Sequence, residues 1–155
     1  MSQVPVVCCT LVKDKIFLDT NIIIYCYSNS EIEKQTIARS LFERYDSLFI
    51  SKQVINEMTN ILFKKFKLES YQVENTIIEI SKIVNTYDFN LDTQVKAIQL
   101  KNKYNLQYYD ALIIATALEN NCKILFSEDM QNNLTIENKL TIINPFREKI
   151  NENTK

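Results

Sequence analysis

The chain has 155 residues, 46% of them hydrophobic, and a formal net charge of −1 at pH 7, which indicates one folded domain without an overall cationic field for nucleic acid. It contains no glycine and no histidine. The missing glycine excludes Gly-rich loops that bind nucleotide phosphates, and the missing histidine excludes Ser-His and Cys-His catalysis and His-containing zinc sites. Acid–base chemistry must therefore use carboxylates, amines, phenols or metal-bound water.

The N-terminal segment 4–12 is apolar but short. No lysine or arginine precedes it and no small-residue cleavage site follows it, so it predicts neither a signal peptide nor a membrane span. We interpret residues 1–14 as an extension or edge strand of a cytoplasmic protein that contacts no membrane. The cysteines lack the C-x-x-C spacing of zinc or redox sites and are expected to be reduced thiols; they are Cys8, Cys9, Cys26 and Cys122.

The apolar pattern predicts strands that alternate with helices. In chain order it predicts a strand at 15–18, helices at 21–27 and 31–45, a strand at 48–50, helices at 52–66, 69–87, 92–104 and 108–119, and strands at 123–126 and 140–143. Ser51 is a suitable N-cap for the third helix, and the last helix is almost wholly apolar and therefore buried. Strands joined by helical crossovers indicate an α/β fold, with a parallel sheet covered by helices on both faces.

Asparagine is expected to replace glycine at helix ends and turns, because it is the next residue able to adopt a left-handed backbone. Eight asparagines fall at such positions: Asn29, Asn85, Asn90, Asn105, Asn120, Asn121, Asn132 and Asn133. This pattern supports the predicted helix boundaries and carries no information about function.

Four acidic residues are predicted to meet at one edge of the sheet. Asp19 directly follows the first strand in FLDTN, and Asp129 closely follows a later strand in FSEDM. Ligand sites of open parallel α/β sheets lie beyond the carboxyl ends of the strands, so both side chains fall on that edge. Asp110 begins the apolar helix at 108–119, and Glu57 lies at the border of the apolar stripe of its helix, half turned toward the interior.

Each acid also has a purely structural interpretation. Asp19 fits a turn or a helix cap, and Asp110 fits an N-cap or an acid stabilised by the helix dipole. Glu57 fits a solvated helix residue with a lysine partner, and Asp129 or Glu128 fits the cap of a short segment. These interpretations are sufficient for each residue alone, but they do not explain why all four share one edge.

A carboxylate cluster without His or Cys favours a hard divalent cation. Clustered carboxylates repel one another, and their pKa values rise unless a cation compensates. Oxygen ligands suit Mg²⁺ or Mn²⁺, which lower the pKa of a bound water and neutralise charge on a phosphodiester during cleavage. The residues therefore favour metal-dependent hydrolysis, a mechanism that needs no histidine.

Five short motifs occur in a distinctive order: FLDTN, the glutamate of SKQVINEM, YDALIIATAL, LFSEDMQ, and INPF at 143–146. Together they resemble the PIN-domain ribonucleases, and among these the VapC-type toxins of bacterial toxin–antitoxin pairs. The resemblance extends over 15–146, which leaves 1–14 as an N-terminal extension and 147–155 as a C-terminal tail. It implies a three-layer α/β sandwich with a central parallel sheet of four to five strands flanked by helices.

The resemblance implies a Mg²⁺- or Mn²⁺-dependent endoribonuclease. Asn21 matches an asparagine that helps orient the first aspartate, and Ser127 matches a hydroxyl residue that holds the site. The fourth acid is assigned to Asp129 because it lies two residues after Ser127, and whether the adjacent Glu128 assists it stays open. By position, the four metal-binding acids of the family correspond to Asp19, Glu57, Asp110 and Asp129.

The resemblance also implies an RNA substrate, with transfer RNA as one candidate, a cognate antitoxin whose tail covers the site, and a homodimer. Basic and aromatic residues are candidates for RNA contact, by binding phosphate or stacking on bases. A basic helix end is more commonly a solvated face that complements the helix dipole. The candidates are Lys52, Lys64 with its neighbours Lys65 and Lys67, and Tyr109 with its neighbour Tyr108.

Two functions other than an RNA-cleaving enzyme are compatible with an α/β domain of this kind: a non-catalytic binding module and a phosphoacceptor signalling domain. A PIN-like domain could bind RNA or a protein without cleaving, although the presence of all four acids argues against it. A phosphoacceptor signalling domain also has an acidic edge, but it requires a pair of acids after the first strand and a lysine after the last. This chain has a single aspartate, Asp19, after the first strand, and Asn144 and Pro145 after the last strand.

Overall fold

The computed structural model describes residues 14–147, which form six strands and six helices. The strands are β1 (Ile16–Leu18), β2 (Leu48–Ser51), β3 (Asn85–Tyr87), β4 (Ile124–Phe126), β5 (Thr135–Ile136) and β6 (Leu140–Ile143). The helices are α1 (Thr20–Tyr27), α2 (Ile32–Arg44), α3 (Lys52–Lys64), α4 (Ser70–Ile83), α5 (Leu91–Tyr104) and α6 (Tyr108–Glu119). Residues 1–13 of the predicted extension lie outside the described residues, and they include Cys8 and Cys9. Residues 148–155 of the predicted tail also lie outside them.

The six strands form one sheet in the order β3-β2-β1-β4-β6-β5. Neighbouring strands are parallel, except that β5 is antiparallel to β6. β1 is central, and its register against β4 places Leu18 opposite Phe126. The next residue of each strand, Asp19 and Ser127, therefore emerges at the same carboxyl edge, where the Asp19 backbone N–H donates to the Phe126 carbonyl at 3.0 Å.

Helices cover both faces of the sheet. Successive strand residues point to opposite faces, and Ile16, Phe17 and Leu18 of β1 are all at most 1% exposed. The helices pack in pairs, α1 on α2, α3 on α4 and α5 on α6, and α6 carries an unbroken buried run at 111–117. The predicted three-layer α/β sandwich is confirmed. No helix within 14–147 has the length and apolarity needed to cross a membrane.

Two of the six strands are not predicted by the sequence, so the sheet has more than the expected four to five strands. The segment 69–87, predicted as one helix, contains α4 and then β3. Its apolar residues Ile80, Ile83, Val84 and Tyr87 keep helical spacing across the boundary, which hides the change. The helix ends because Val84 takes an extended backbone (φ −119°, ψ 153°), and β3 then pairs with β2. β5 has two residues, too few for a periodic signal.

Three of the eight asparagines predicted at helix ends and turns have a left-handed backbone: Asn105 (φ 53°), Asn121 (φ 58°) and Asn133 (φ 64°). Asn90 instead caps α5 with its side chain, and Asn85 lies in β3. Within the described range the same conformation is also taken by three residues outside the prediction, Lys67, Glu137 and Asn138. Asparagine thus occupies four of these six positions, three of them predicted.

Candidate metal centre

Asp19 is a buried carboxylate at the N-terminus of α1, only 6% exposed. It is the N-cap of the helix, and its Oδ1 accepts a hydrogen bond from the Thr20 backbone N–H at 2.7 Å. Its Oδ2 accepts a hydrogen bond from the Ser127 hydroxyl at 2.7 Å. The expected cap is therefore present, and the second oxygen is held at the same time by the residue that follows the adjacent strand β4.

The environment of Asp19 disfavours its charge. Burial raises the pKa of this carboxyl to about 6, against the hydrogen bonds from Ser127 and Thr20, which lower it. The neighbouring Asp110 and Glu57 raise the pKa of Asp19 further. Repulsion among the acids is therefore present at this edge of the sheet.

Glu57 projects from α3 toward Asp19 and is half-buried. Its Oε2 accepts a hydrogen bond from the Thr20 hydroxyl at 2.7 Å, and its Oε1 accepts one from the Gln53 amide at 3.0 Å. Its hydrogen-bonding neighbours are therefore uncharged side chains, and the lysine partner of the structural interpretation is not among its contacts within residues 14–147. Thr20 bridges the two acids, since its backbone binds Asp19 and its hydroxyl binds Glu57.

Asp110 lies in the first turn of α6, three residues after the N-cap Gln107, so it is not the cap. It is half-buried, and burial raises its pKa, with further contributions from the charges of Glu57 and Asp129. No hydrogen bond to its carboxylate is present among the described residues. Asp110 is therefore the acid whose surroundings hold it least.

Asp129 follows β4 and is exposed. The side-chain amide of Asn21 donates a hydrogen bond to its carboxylate. The hydrogen-bond donors to Asp19 are Thr20 and Ser127, while Asn21 donates to Asp129. A role of Asn21 in orienting Asp19 stays a prediction.

The adjacent Glu128 does not share the contacts of Asp129. The Tyr25 hydroxyl donates a hydrogen bond to its carboxylate, and the Lys34 ammonium binds the other carboxylate oxygen at 2.5 Å. Both carboxylate oxygens of Glu128 are thus used by residues of α1 and α2 outside the four-acid cluster.

The four acids do not form a closed ring of ligands. Within residues 14–147, no group of three or more His, Cys, Asp or Glu side chains is placed so that it could hold a metal ion. Mg²⁺ does not require three protein ligands, because it keeps several of its waters and is commonly held by one or two carboxylates together with substrate phosphate. Burial and the charges of neighbouring acids raise the pKa values of Asp19 and Asp110, and these all-oxygen donors fit a hard divalent cation.

The candidate RNA contacts lie at three places. Lys52 begins α3 and forms an exposed ion pair with Asp88 at 2.8 Å, so part of its charge is neutralised. Lys64 is exposed in the last turn of α3, on the same helical face as Glu57 two turns earlier. Tyr109 is 59% exposed and directly precedes Asp110, and its ring lies 5.4 Å from that of Tyr108.

The sequence analysis did not predict four residues that contact acids at this edge of the sheet. Thr20 and Gln53 bind Glu57, and Tyr25 and Lys34 bind Glu128. Gln53 was detectable, because it lies four residues before Glu57 and such pairs share one helical face. Thr20 stands in the FLDTN motif, but its contact with Glu57 spans 37 positions. The contact of Lys34 with Glu128 spans 94 positions and has no local signature.

The fold is an α/β domain with a mostly parallel sheet, and its candidate site is a cluster of four carboxylates at the carboxyl edge of that sheet. A family model described as "PIN domain" matches residues 16–133, more than half of the chain. The chain belongs to the PIN domain family. No curated protein sequence matches it.

Solved structures with the same fold include toxins of toxin–antitoxin pairs. A chain of a toxin–antitoxin complex from Klebsiella pneumoniae is 23% identical with a TM-score of 0.66, over 84% of this chain and 98% of that one. VapC20 of Mycobacterium tuberculosis, described as a sarcin-ricin loop cleaving toxin, is 16% identical with a TM-score of 0.62, over 74% and 92%. DNA-bound VapBC of Salmonella typhimurium is 18% identical with a TM-score of 0.60, over 83% and 96%. At these identities the likeness establishes the fold.

Proposed function

We propose that this protein is a metal-dependent endoribonuclease that hydrolyses RNA phosphodiester bonds and is the toxin of a type II toxin–antitoxin pair. The observation that carries the proposal is the four-acid edge: Asp19 is buried with both oxygens bound, and Glu57 and Asp110 are near enough to raise its pKa. Membership of the PIN domain family and the likeness to toxin structures support the same conclusion.

Asp19, Glu57, Asp110 and Asp129 would hold the metal. Mg²⁺ or Mn²⁺ at this position supplies positive charge that neutralises the cluster and the scissile phosphate, and it lowers the pKa of a bound water. The cluster has no histidine or cysteine to attract softer metals. Titration calorimetry with Mn²⁺ measures the number of ions bound.

The chain's own residues fix these acids to different degrees. Thr20 and Ser127 hold Asp19, so its geometry is set before substrate arrives. Thr20 and Gln53 hold Glu57 in the same manner. Asp110, with no hydrogen bond among the described residues, is the acid free to rotate toward a ligand.

Substrate RNA is expected to lie across this edge. Tyr109 is exposed beside Asp110 and offers an aromatic face on which a base can stack. Lys64, on the Glu57 face of α3, offers a phosphate contact. Lys52 contributes less, because Asp88 competes with phosphate for its ammonium group.

An RNA cleavage assay tests the proposal. The substrates are transfer RNA and a sarcin–ricin loop hairpin, the latter because that loop is what the M. tuberculosis toxin is described as cleaving. The parent protein should cleave RNA with Mg²⁺ or Mn²⁺ and stop when a chelator is added. Asp19→Asn and Asp110→Asn should each lower the rate by at least about a hundredfold, since loss of an outer contact to a metal ligand alone costs about ten- to a hundredfold.

Asp92→Asn is the matched control, since it makes the same change in an exposed aspartate of α5. It should cleave RNA at the parent rate. Cleavage at that rate by Asp19→Asn would show that the site is wrongly assigned. RNA binding without cleavage, together with no calorimetric signal for Mn²⁺ at millimolar concentration, would identify a non-catalytic binding module instead.

We further propose a cognate antitoxin that covers the acidic edge, and a homodimer. Two of the similar structures are described as complexes with an antitoxin partner or as VapBC, which supports the first proposal. We expect a short reading frame that encodes a DNA-binding antitoxin immediately upstream of the gene, and co-expression of its product should abolish RNA cleavage. Light scattering of the purified protein measures its oligomeric state, and a monomer mass at micromolar concentration would contradict the homodimer.

A further inference from the structure

Glu128 and Asp129 are adjacent acids whose side chains bind different partners. Asp129 accepts a hydrogen bond from Asn21 in the first turn of α1. Glu128 accepts one from Tyr25, one turn further along the same helix. Since residues four apart share a helical face, one face of α1 contacts two successive residues after β4.

Glu128 is bound by charge as well as by hydrogen bonds. The Lys34 ammonium contacts its Oε1 at 2.5 Å, donates to the Tyr25 hydroxyl at 3.1 Å and reaches Glu31 at 3.3 Å. It also lies 4.7 Å from the centre of the Tyr25 ring. The hydrogen bond to Glu128 raises the pKa of Lys34, which therefore stays charged.

The backbone of Glu128 is held from the other side. The Asn144 side-chain amide donates to the Glu128 carbonyl at 3.3 Å, from the segment after β6. Phe146 of that segment packs edge-on against the Tyr25 ring, with centroids 5.1 Å apart. Contacts from α1, α2 and the segment after β6 thus converge on one residue of the loop.

Asp129 itself has little to fix it. It is exposed, and the Asn21 amide is its hydrogen-bond donor among the described residues. Its position therefore depends on the backbone on either side of it. That backbone is fixed at Ser127, whose hydroxyl binds Asp19 and accepts from the Met130 N–H at 3.3 Å, and at Glu128.

We propose that Tyr25, Lys34 and Glu128 form a tether that positions Asp129 toward the metal, so that Glu128 is a positioning residue and not a ligand. This inference rests on the proposed function, because it assigns a role at the same metal centre. Glu128 is adjacent to Asp129 but has different contacts, because its negative charge is bound by Lys34.

Mn²⁺ affinity, measured by titration calorimetry, tests the tether. Tyr25→Phe removes one hydroxyl without changing the charge, and it should weaken Mn²⁺ binding several-fold, toward the about tenfold typical of lost outer contacts at metal sites. Lys34→Met should weaken binding at least as much. Saturating Mn²⁺ should restore most of the RNA cleavage rate in both variants, which a general loss of structure would not allow.

The sign of the Lys34→Met effect separates the tether from simple electrostatics. Removing a positive charge near a cation site strengthens cation binding when only the field matters, and it would also release Glu128 to act as a ligand. Unchanged or tighter Mn²⁺ binding by Lys34→Met would therefore overturn the tether. The matched control is Lys103→Met, which breaks the remote ion pair of Lys103 with Glu137 (3.0 Å) and should bind Mn²⁺ as the parent does.

Failure of the tether and failure of the proposed function give different results. A parent protein that binds no Mn²⁺ refutes the metal centre itself. A parent that binds Mn²⁺ while Lys34→Met and Tyr25→Phe bind it equally well refutes the tether alone. Thermal unfolding of each variant, followed by circular dichroism, verifies that the compared proteins are folded.

Discussion

Replacing Asp19 with asparagine should stabilise the protein at neutral pH while weakening metal binding. Asparagine is as good an N-cap as aspartate, so its Oδ1 can still accept from the Thr20 N–H. Its amide can donate to the Ser127 hydroxyl, which rotates to accept. Asp19→Asn therefore keeps both hydrogen bonds and removes the buried charge.

The magnitude follows from the pKa of Asp19, which is raised from 3.8 to about 6 in the folded protein. The folded state then binds the proton more tightly than the unfolded state, so stability from this group is present below pH 3.8 and is lost as the pH rises through 6. A difference of about two pKa units corresponds to about 3 kcal/mol at 1.36 kcal/mol per unit. Because Asp19 is only 6% exposed, solvent screening reduces this value little.

Urea unfolding with a chelator present, at intervals from pH 4 to pH 7.5, measures the effect. The free energy of unfolding of the parent should fall by about 2.5 kcal/mol more than that of Asp19→Asn across this range, because the unfolded carboxyl is already mostly ionised at pH 4. Adding Mn²⁺ at a hundred times its dissociation constant should stabilise the parent by about 2.7 kcal/mol and the variant far less. Equal pH dependence of the two proteins, or a variant less stable than the parent at pH 7.5, would refute the reasoning.

Three further substitutions have separate expected outcomes. Ser127→Ala should lower the free energy of unfolding at pH 7.5 by about 2 kcal/mol, since a carboxylate loses a buried donor, and urea unfolding at pH 5 should give a smaller loss. Ser51→Ala, which removes the side-chain cap bonded to the Val54 N–H, should cost about 1 kcal/mol in the same measurement, and no loss would contradict the cap. Lys64→Ala should weaken RNA binding and reduce the slope of log affinity against log salt by about 1, and an unchanged slope would exclude a phosphate contact.

Most of the fold could be predicted because its elements have strong local patterns. The long apolar run of α6 predicts a buried helix, and the short apolar runs of β1 and β2 predict buried strands. Ser51 caps α3 as expected. The edge strand β3 could not be predicted. It is held by pairing with β2 and by the stacked rings of Phe49 and Tyr87, 4.8 Å apart, and neither contact is local in sequence.

At the candidate site, too, the sequence locates some residues, and contacts between distant parts of the chain determine the others. Strand ends locate Asp19 and the segment of Asp129 because parallel strands deliver their carboxyl ends to one edge. The sequence does not distinguish Glu128 from Asp129, since both follow β4 and carry the same charge. The distinction comes from Lys34 and Tyr25, which bind Glu128 from positions about a hundred residues away.

The first two turns of α1 and its N-cap contribute to or contact every acid of this edge except Asp110. Asp19 caps the helix, Thr20 binds Glu57, Asn21 binds Asp129 and Tyr25 binds Glu128. A rotation or shift of this one helix would therefore move the partners of several acids together. Ile22 and Ile23, both fully buried, oppose such a movement by fixing α1 in the core. The apolar residues between the polar ones are for this reason part of the site, because they hold the helix on which its geometry depends.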